Sequence, residues 1–418
     1  MRVGLDARLV SGASGGVEGF ILGLAHGLSS LTESADEYLF LTREGQEALL
    51  EPVVGGNVHT LTVGEPRFRG VRGRALMARL LLDWKLEARR GTAPSGGAQT
   101  SSPPLSDGTI ERAGVDIMHF TLQAGFRTRV PSIYQPHDLQ HLHLPQFFTP
   151  EDIEWREAWY PSLCRQAAMV AVGSAWTKRD IENHYRIPAG SVRVVHTAPP
   201  TDTGQALSPT AASVTRQGMG VPASYILYPA QTWPHKNHDG LLRALANLRD
   251  RSGLEIPLVA SGAMNDHFPT IRRTQEELRL TGQVTWTGFV SSQQLSALYA
   301  GATAVVIPTR FEAVSFPVWE AFRAGVAVAC SNVTSLPDQA GDAALLFDPD
   351  DIDGMAHAIK RLWTDAKLRA TLIERGRARI AGLSWEMTAR TFRAHYRRLT
   401  RRTLTEEDMA LIESVAPM

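Results

Sequence analysis

Two glutamates eight residues apart, Glu312 and Glu320, frame the stretch "RFEAVSFPVWEAFRAG" at 310–325. Pro317 reads as the first residue of a helix, where its missing N–H costs nothing. Glu312 then falls in the loop before that helix and Glu320 about one turn inside it. The upstream run "TAVVIPT" is apolar and β-rich, the pattern of a buried strand. An open helix N-terminus attracts anions. Two acids beside such a terminus are out of place unless they face something neutral and rich in hydroxyls, and a sugar suits them. The plainer alternative is a pair of solvated acids.

Three other stretches directly follow predicted strands. "SGASGGVEGF" carries Gly15 and Gly16. It lacks the G-x-G-x-x-G spacing of dinucleotide sites, but a glycine pair lets backbone approach a phosphate or a sugar. A simple turn is the alternative. "YQPHDLQHLHLPQFF" carries His137, Asp138, His141 and His143. Its spacing matches no established metal pattern, so no metal is expected. His137 lies where a functional group would project from a strand end; a structural histidine is the alternative. His141 and His143 read as packing or surface residues. "YPAQTWPHKNHDGLLRAL" places Lys236 in a strand–helix loop, with Asn237 or His238 as the helix cap. A lysine there is a natural phosphate partner, and an exposed loop lysine is its commoner counterpart.

These groups need elements that present them. Short β-rich runs alternate with amphipathic helical stretches along the chain, the rhythm of parallel sheets with helical crossovers. The first half holds "RVGLDA", "EYLFLT", "NVHTLTV", "VDIMHF", "SIYQPHD", "MVAVGS" and "VRVVHTA". The second holds "YILYPA", "IPLVASG", "VTWTG", "TAVVIPT", "VAVACSN" and "AALLFD". The expected fold is α/β, with two Rossmann-like, doubly wound parallel-sheet domains facing a cleft, and ligands at the carboxyl ends of the strands. Residues 201–224, small, polar and rich in Pro and Gly, read as an interdomain linker. Residues 91–108 read as a loop or insertion. The acids of "FDPDDIDG" read as helix caps rather than metal ligands.

The bulk numbers narrow the function. A chain of 418 residues is comfortable for two domains. Lys plus Arg and Asp plus Glu are 43 each, so the net charge is zero and no nucleic-acid partner is expected. The two cysteines, Cys164 and Cys330, are far apart, which fits a reducing compartment. The N-terminus lacks the apolar segment of a signal peptide and no window is long enough to span a bilayer, so a cytoplasmic location is expected.

The run "FEAVSFPVWEAFRAGVAVACSNVTSLPDQAGDAALLFDPDD" resembles the signature of retaining glycosyltransferase family 4, whose members share the GT-B architecture. The likeness extends through "YPAQTWPHKN", "VTWTGFVSSQQLSALYAGATAVVIPTRFE" and "LSWEMTARTFRAHYRRL". In the first half it is looser, resting on "GGVEGF" and "HDLQHLHLPQFF". It implies an acceptor-side domain over 1–204, a nucleotide-sugar domain over 205–384, and a C-terminal helix, 385–418, crossing back onto the first. It further implies a metal-independent, cofactor-free transferase. This would move a sugar, mannosyl or a related hexosyl, from a nucleotide-diphosphate donor to a glycan or lipid-linked acceptor in polysaccharide synthesis.

By that resemblance Glu312 meets the donor sugar, Glu320 the nucleotide ribose, Lys236 the diphosphate, and His137 the reacting centre. Gly15 and Gly16 line the same centre, and backbone near Val290 meets the base. Two departures stand out. Gln231 occupies the position where many relatives have an arginine, with His235 as its substitute. Ala313 and Ser315 replace loop glycines before Phe316, Ser315 adding a hydroxyl toward the diphosphate. The competing readings are a nucleotide-sugar epimerase of similar fold and a non-catalytic nucleotide-sugar-binding protein. The basic, partly amphipathic segment 67–90 reads either as a peripheral contact with an anionic membrane or as a helix packed on the first sheet.

Overall fold

A computed structural model of the chain describes residues 1–9, 15–33, 35–63, 102–200 and 207–414. The segment 67–90, most of 91–108 and the expected boundary at 204/205 lie outside the described residues. The chain divides into two compact units, Met1–Thr197 with Ser384–Pro417, and Ala198–Leu383.

Each β-rich run holds a strand. The first unit has β1 (Arg2–Asp6), β2 (Glu37–Thr42), β3 (Val58–Thr62), β4 (Ile117–Phe120), β5 (Ser132–Tyr134), β6 (Met169–Val172) and β7 (Val192–Val194). They form a seven-stranded sheet in the order β3-β2-β1-β4-β5-β6-β7. Every pairing is parallel. β4 and β6 are buried along their whole length, as parallel strands covered on both faces must be. The order reverses between β1 and β4. The loops after those two strands therefore diverge and leave room for a ligand.

The second unit has β8 (Ile226–Pro229), β9 (Leu258–Ser261), β10 (Val284–Gly288), β11 (Ala304–Ile307), β12 (Ala327–Ser331) and β13 (Ala344–Phe347). Their order is β10-β9-β8-β11-β12-β13, again all parallel. Here the switch lies between β8 and β11, with Ala304 opposite Ile226. The "PHK" loop follows β8 and the "RFE" loop follows β11, so this strand order makes them neighbours.

Within the expected C-terminal helix 385–418 the described residues form two helices, Trp385–Leu399 and Glu406–Glu413; the first belongs to the first unit and packs on the helix Gly16–Ser29. A Cβ on Gly23 would sit 2.0 Å from the Trp385 indole, and one on Gly27 would sit 2.2 Å from the Trp385 carbonyl. Only glycine lets the helices approach this closely. Ion pairs tie the helix Trp385–Leu399 to the loop between Gly16–Ser29 and β2: Arg393 to Glu33 at 2.9 Å and Arg397 to Asp36 at 3.1 Å.

Two expectations need correction. The expected linker is not loop throughout, since residues 209–218 form a helix, Pro209–Gly218. The Ser208 hydroxyl caps it by accepting from Ala211 N–H, and Pro209 is pre-set for the first turn. Arg216 donates to Ala297 O at 3.0 Å, docking this helix on the helix Ser292–Gly301. The end of the 91–108 segment is also anchored: Leu105 bridges Arg127, and Ser106 donates to Glu111 at 2.7 Å.

Candidate active site

In the second unit, Lys236 ends a 3-10 turn, Pro234–Lys236, after β8. Asn237 follows with φ 58°, a left-handed conformation that Asn tolerates, and caps the helix His238–Ser252 through Gly240 N–H. Its amide donates to Pro308 O at 3.0 Å and Pro349 O at 2.9 Å. Its Oδ1 accepts from Arg310 at 2.5 Å. One side chain thus ties the lysine loop to the glutamate loop.

Glu312 lies in the loop after β11, where its carboxylate accepts from Lys236 Nζ at 2.5 Å. Both side chains keep some solvent contact, 21% for the lysine and 12% for the glutamate. Thr334, with φ 52°, and Ser335 hold the backbone of Glu312 from the loop after β12. Their hydroxyls donate to Glu312 O at 2.5 and 2.8 Å, and Glu312 N–H donates to Thr334 Oγ1 at 3.1 Å.

The helix that follows is Phe316–Ala324, so Pro317 is its second residue. The N–H groups of a first turn have no partner inside the helix. Glu320 is in that helix and accepts from the Tyr299 hydroxyl at 2.7 Å. Burial first, then the neighbouring Glu320, holds the Tyr299 phenol well above its usual range, so it remains a donor.

Ser315 departs from expectation. Its backbone N–H and C=O are tied to the Gln339 side chain at 2.8 and 2.6 Å, and its hydroxyl is fully buried with no hydrogen-bond partner. In this conformation it anchors the loop and does not offer its hydroxyl to a diphosphate. His235 is also corrected as a substitute cation. Burial first, then the adjacent Lys236, pushes its imidazolium down to about 2, so the ring is neutral. Gln231 accepts from the Trp233 indole at 2.8 Å. Val290 packs on the core just after exposed Phe289, while Ala313 and Phe316 stay half-buried.

In the first unit, Gly15 has φ 50° and ψ −125°, a conformation open to glycine, and precedes the helix that opens at Gly16 with no side-chain cap. His137 follows β5 with φ 68°. Its Nε2 lies 2.7 Å from Thr121 O and must donate, which leaves Nδ1 as the acceptor nitrogen. Burial is the main cause that lowers its pKa, so the ring is neutral. Phe20 meets it edge-on at 6.1 Å. Thr121 follows β4 and bonds back to Asp6 O at the end of β1. The loops at this sheet's switch point are therefore linked.

His141 is buried and paired with Glu157 at 2.7 Å, and exposed His143 is paired with Asp180 at 2.8 Å. Asp351 caps the helix Ile352–Thr364, as its sequence context predicts. Cys164 and Cys330 are both buried free thiols. Sequence reasoning missed Tyr299, Asn237's bridging role, Thr334, Ser335 and Gln339. Only Asn237 carried a local signal, as a helix cap.

Residues 218–379, within the second unit, match the family model described as glycosyl transferases group 1. The chain is a glycosyltransferase. This glycosyltransferase is 28% identical over 260 residues to the O-antigen chain mannosyltransferase B of Escherichia coli, covering 62% of the chain and 68% of that protein. It is 26% identical over 414 residues to a D-inositol 3-phosphate glycosyltransferase of a Nocardioides species, covering 93% and 86% respectively. Among solved structures, Anabaena HepE in complex with UDP and glucose aligns over 94% of the chain and 99% of its own length. Its TM-score is 0.70 at 18% identity, a likeness of fold. The glycosyltransferase therefore has the two Rossmann-like sheets of the GT-B fold. No helix among its described residues is long and apolar enough to cross a membrane.

Proposed function

We propose that the protein is a retaining family 4 enzyme that transfers a mannosyl or related hexosyl group from a nucleotide-diphosphate sugar to a glycan or lipid-linked acceptor, without a metal. The observation that carries this reading is the Lys236–Glu312 pair, held at 2.5 Å at the switch point of the second sheet, beside the helix that bears Glu320.

The ammonium is a compact positive charge for the diphosphate. As the glycosyl bond breaks, negative charge builds on the leaving diphosphate, and a fixed cation lowers that barrier. Lys236 contacts Glu312 in the ligand-free protein, so donor binding must divide the lysine between carboxylate and phosphate. That exchange leaves Glu312 an open acceptor for donor-sugar hydroxyls. Glu320, oriented by Tyr299, accepts from the ribose diol, and backbone near Val290 meets the base. Gln231, Ala313 and Phe316 complete the donor side. His137 serves the reacting centre as a neutral imidazole with Nδ1 open, and Gly15 and Gly16 bring backbone to it. Retention without an enzyme nucleophile has the acceptor attack on the leaving-group face, its proton passing to the departing diphosphate.

The mannosyl choice draws on the Escherichia coli relative, a mannosyltransferase by name. The solved UDP complex supports a nucleotide donor. The test is a screen of GDP-, UDP- and dTDP-sugars, reading thermal shift and nucleotide release with and without acceptor, in excess EDTA. One donor should raise Tm and release its nucleotide only with acceptor, in EDTA as in its absence. Release of a free, epimerised sugar would replace this reading with the epimerase. Binding without transfer to any acceptor would support the binding protein, and activity lost in EDTA and restored by magnesium would end the metal-free mechanism.

A further inference from the structure

Away from these residues, the first unit gathers three metal-ligating side chains. His143 ends the short helix Gln140–His143, six residues after His137. Asp180 and His184 lie on the helix Ala175–Tyr185. Their i, i+4 spacing puts both on one helix face. Asp180 Oδ1 is 2.8 Å from His143 Nε2 and 3.1 Å from His184 Nδ1, and one ligand atom from each residue lies within 4.8 Å of the others. His184 Nδ1 is also 2.9 Å from Asp180 O, a contact that a bound ion would replace.

We propose that His143, Asp180 and His184 form a binding site for a divalent transition metal ion of the zinc class. Around a four-coordinate zinc with bonds of about 2.0–2.2 Å, ligand atoms stand roughly 3.3–3.5 Å apart. Two of the three separations are slightly below that length and the third is at most 4.8 Å, so small side-chain shifts bring the three atoms to that spacing.

A second observation points the same way. Asp180 is only 6% exposed; its Oδ1 faces the histidines, and its Oδ2 is buried with no hydrogen-bond partner, an acceptor that a cation bound through both carboxylate oxygens would satisfy. Two imidazoles and one carboxylate suit zinc, cobalt or nickel and discriminate against magnesium and calcium, which prefer all-oxygen shells. Both histidines reach solvent, with side-chain exposures of 31% and 42%, so the ion has an entry path and room for water as a further ligand. Bound there, it would pin the segment downstream of His137 to the helix Ala175–Tyr185, a structural role separate from the diphosphate chemistry.

The test uses full-length protein stripped with EDTA and desalted. It is titrated calorimetrically with ZnCl2 and with MgCl2, and with CoCl2 while visible absorption is recorded. The expected result is one saturable zinc site, cobalt ligand-field bands, and no magnesium binding. His184→Gln, at an exposed position, should leave the metal-free Tm unchanged, weaken zinc by at least about tenfold and remove the cobalt bands. His143→Gln should repeat that loss. Zinc affinity and cobalt spectra unchanged in both variants, or no saturable site in the wild type, would overturn the assignment.

Discussion

The two glutamates differ in what they touch, and that predicts how they fail. Glu320 is bonded to Tyr299 on one side. With Glu320 on the ribose, as proposed, Glu320→Gln keeps its size but loses charge-assisted bonds to that diol, worth about 1.5–3 kcal/mol each. Nucleotide affinity should fall by roughly ten- to a hundredfold, with turnover at saturation largely kept. Glu312 shares its charge with Lys236. Glu312→Gln should lower kcat more than affinity, because the partner proposed for it is the sugar that changes charge in the transition state. Lys236→Ala should impair both and cost about 10²–10³ in kcat, the usual loss when a fixed stabiliser of developing charge is removed. Steady-state kinetics with direct nucleotide titration separates the three. Wild-type turnover in Glu312→Gln, with weakened nucleotide binding instead, would exchange the two roles.

At the scale of elements, two joints carry consequences. Asn237 bridges three loops through Pro308, Pro349 and Arg310 while capping its own helix from a left-handed conformation. Asn237→Ala removes the cap and two buried hydrogen bonds, and puts alanine at φ 58°. The second unit should lose about 2–4 kcal/mol in denaturant unfolding, and nucleotide should bind more weakly because Lys236 is the preceding residue. An unchanged denaturation midpoint would show that the loops hold without this bridge. The other joint is Gly23 against Trp385. Gly23→Ala inserts a methyl where the indole stands, so the helix Trp385–Leu399 must shift, at a cost of about 1–3 kcal/mol. Pairing it with Trp385→Leu should recover part of that loss, because contacting positions are not additive. Equal losses in the single and double variants would place the strain elsewhere.

For the whole molecule, buried histidines set the response to acid. His119 and His395 in the first unit are pushed down to about 3 and about 4, and His238 in the second to about 3, each mainly by burial. His235, at about 2, follows the same rule. All lie below the free-chain value of about 6.5. Between that value and the folded ones, the unfolded chain binds more protons than the native one, so stability is full above about pH 6.5 and drains as the pH falls below it. Denaturant midpoints measured from about pH 8 to about pH 4.5 should be level at first and decline below about pH 6.5. A midpoint that holds or rises as the pH falls through that range would contradict the neutral, buried state of these rings.

Much of this architecture was legible in the chain itself. Each of the thirteen β-rich runs became a strand: central strands covered on both faces, such as β4 and β6, must be apolar along their length, while the edge strands β3, β10 and β13 were marked by their β-branched, aromatic and aliphatic residues. The strand–loop–helix setting of Glu312 and Glu320 was equally local. The helix Pro209–Gly218 is legible too, from the Ser208–Pro209 start, although the small polar residues of 201–224 read as linker. Other features depended on tertiary structure alone. Lys236 meets Glu312 across 76 residues because β8 lies beside β11, and no local pattern encodes strand order. Tyr299 finds Glu320 and Gln339 turns Ser315 inward for the same reason. His235 loses its charge through burial, which a loop sequence does not announce. Periodicity reports which residues leave water; which of them then touch is decided only when distant segments pack.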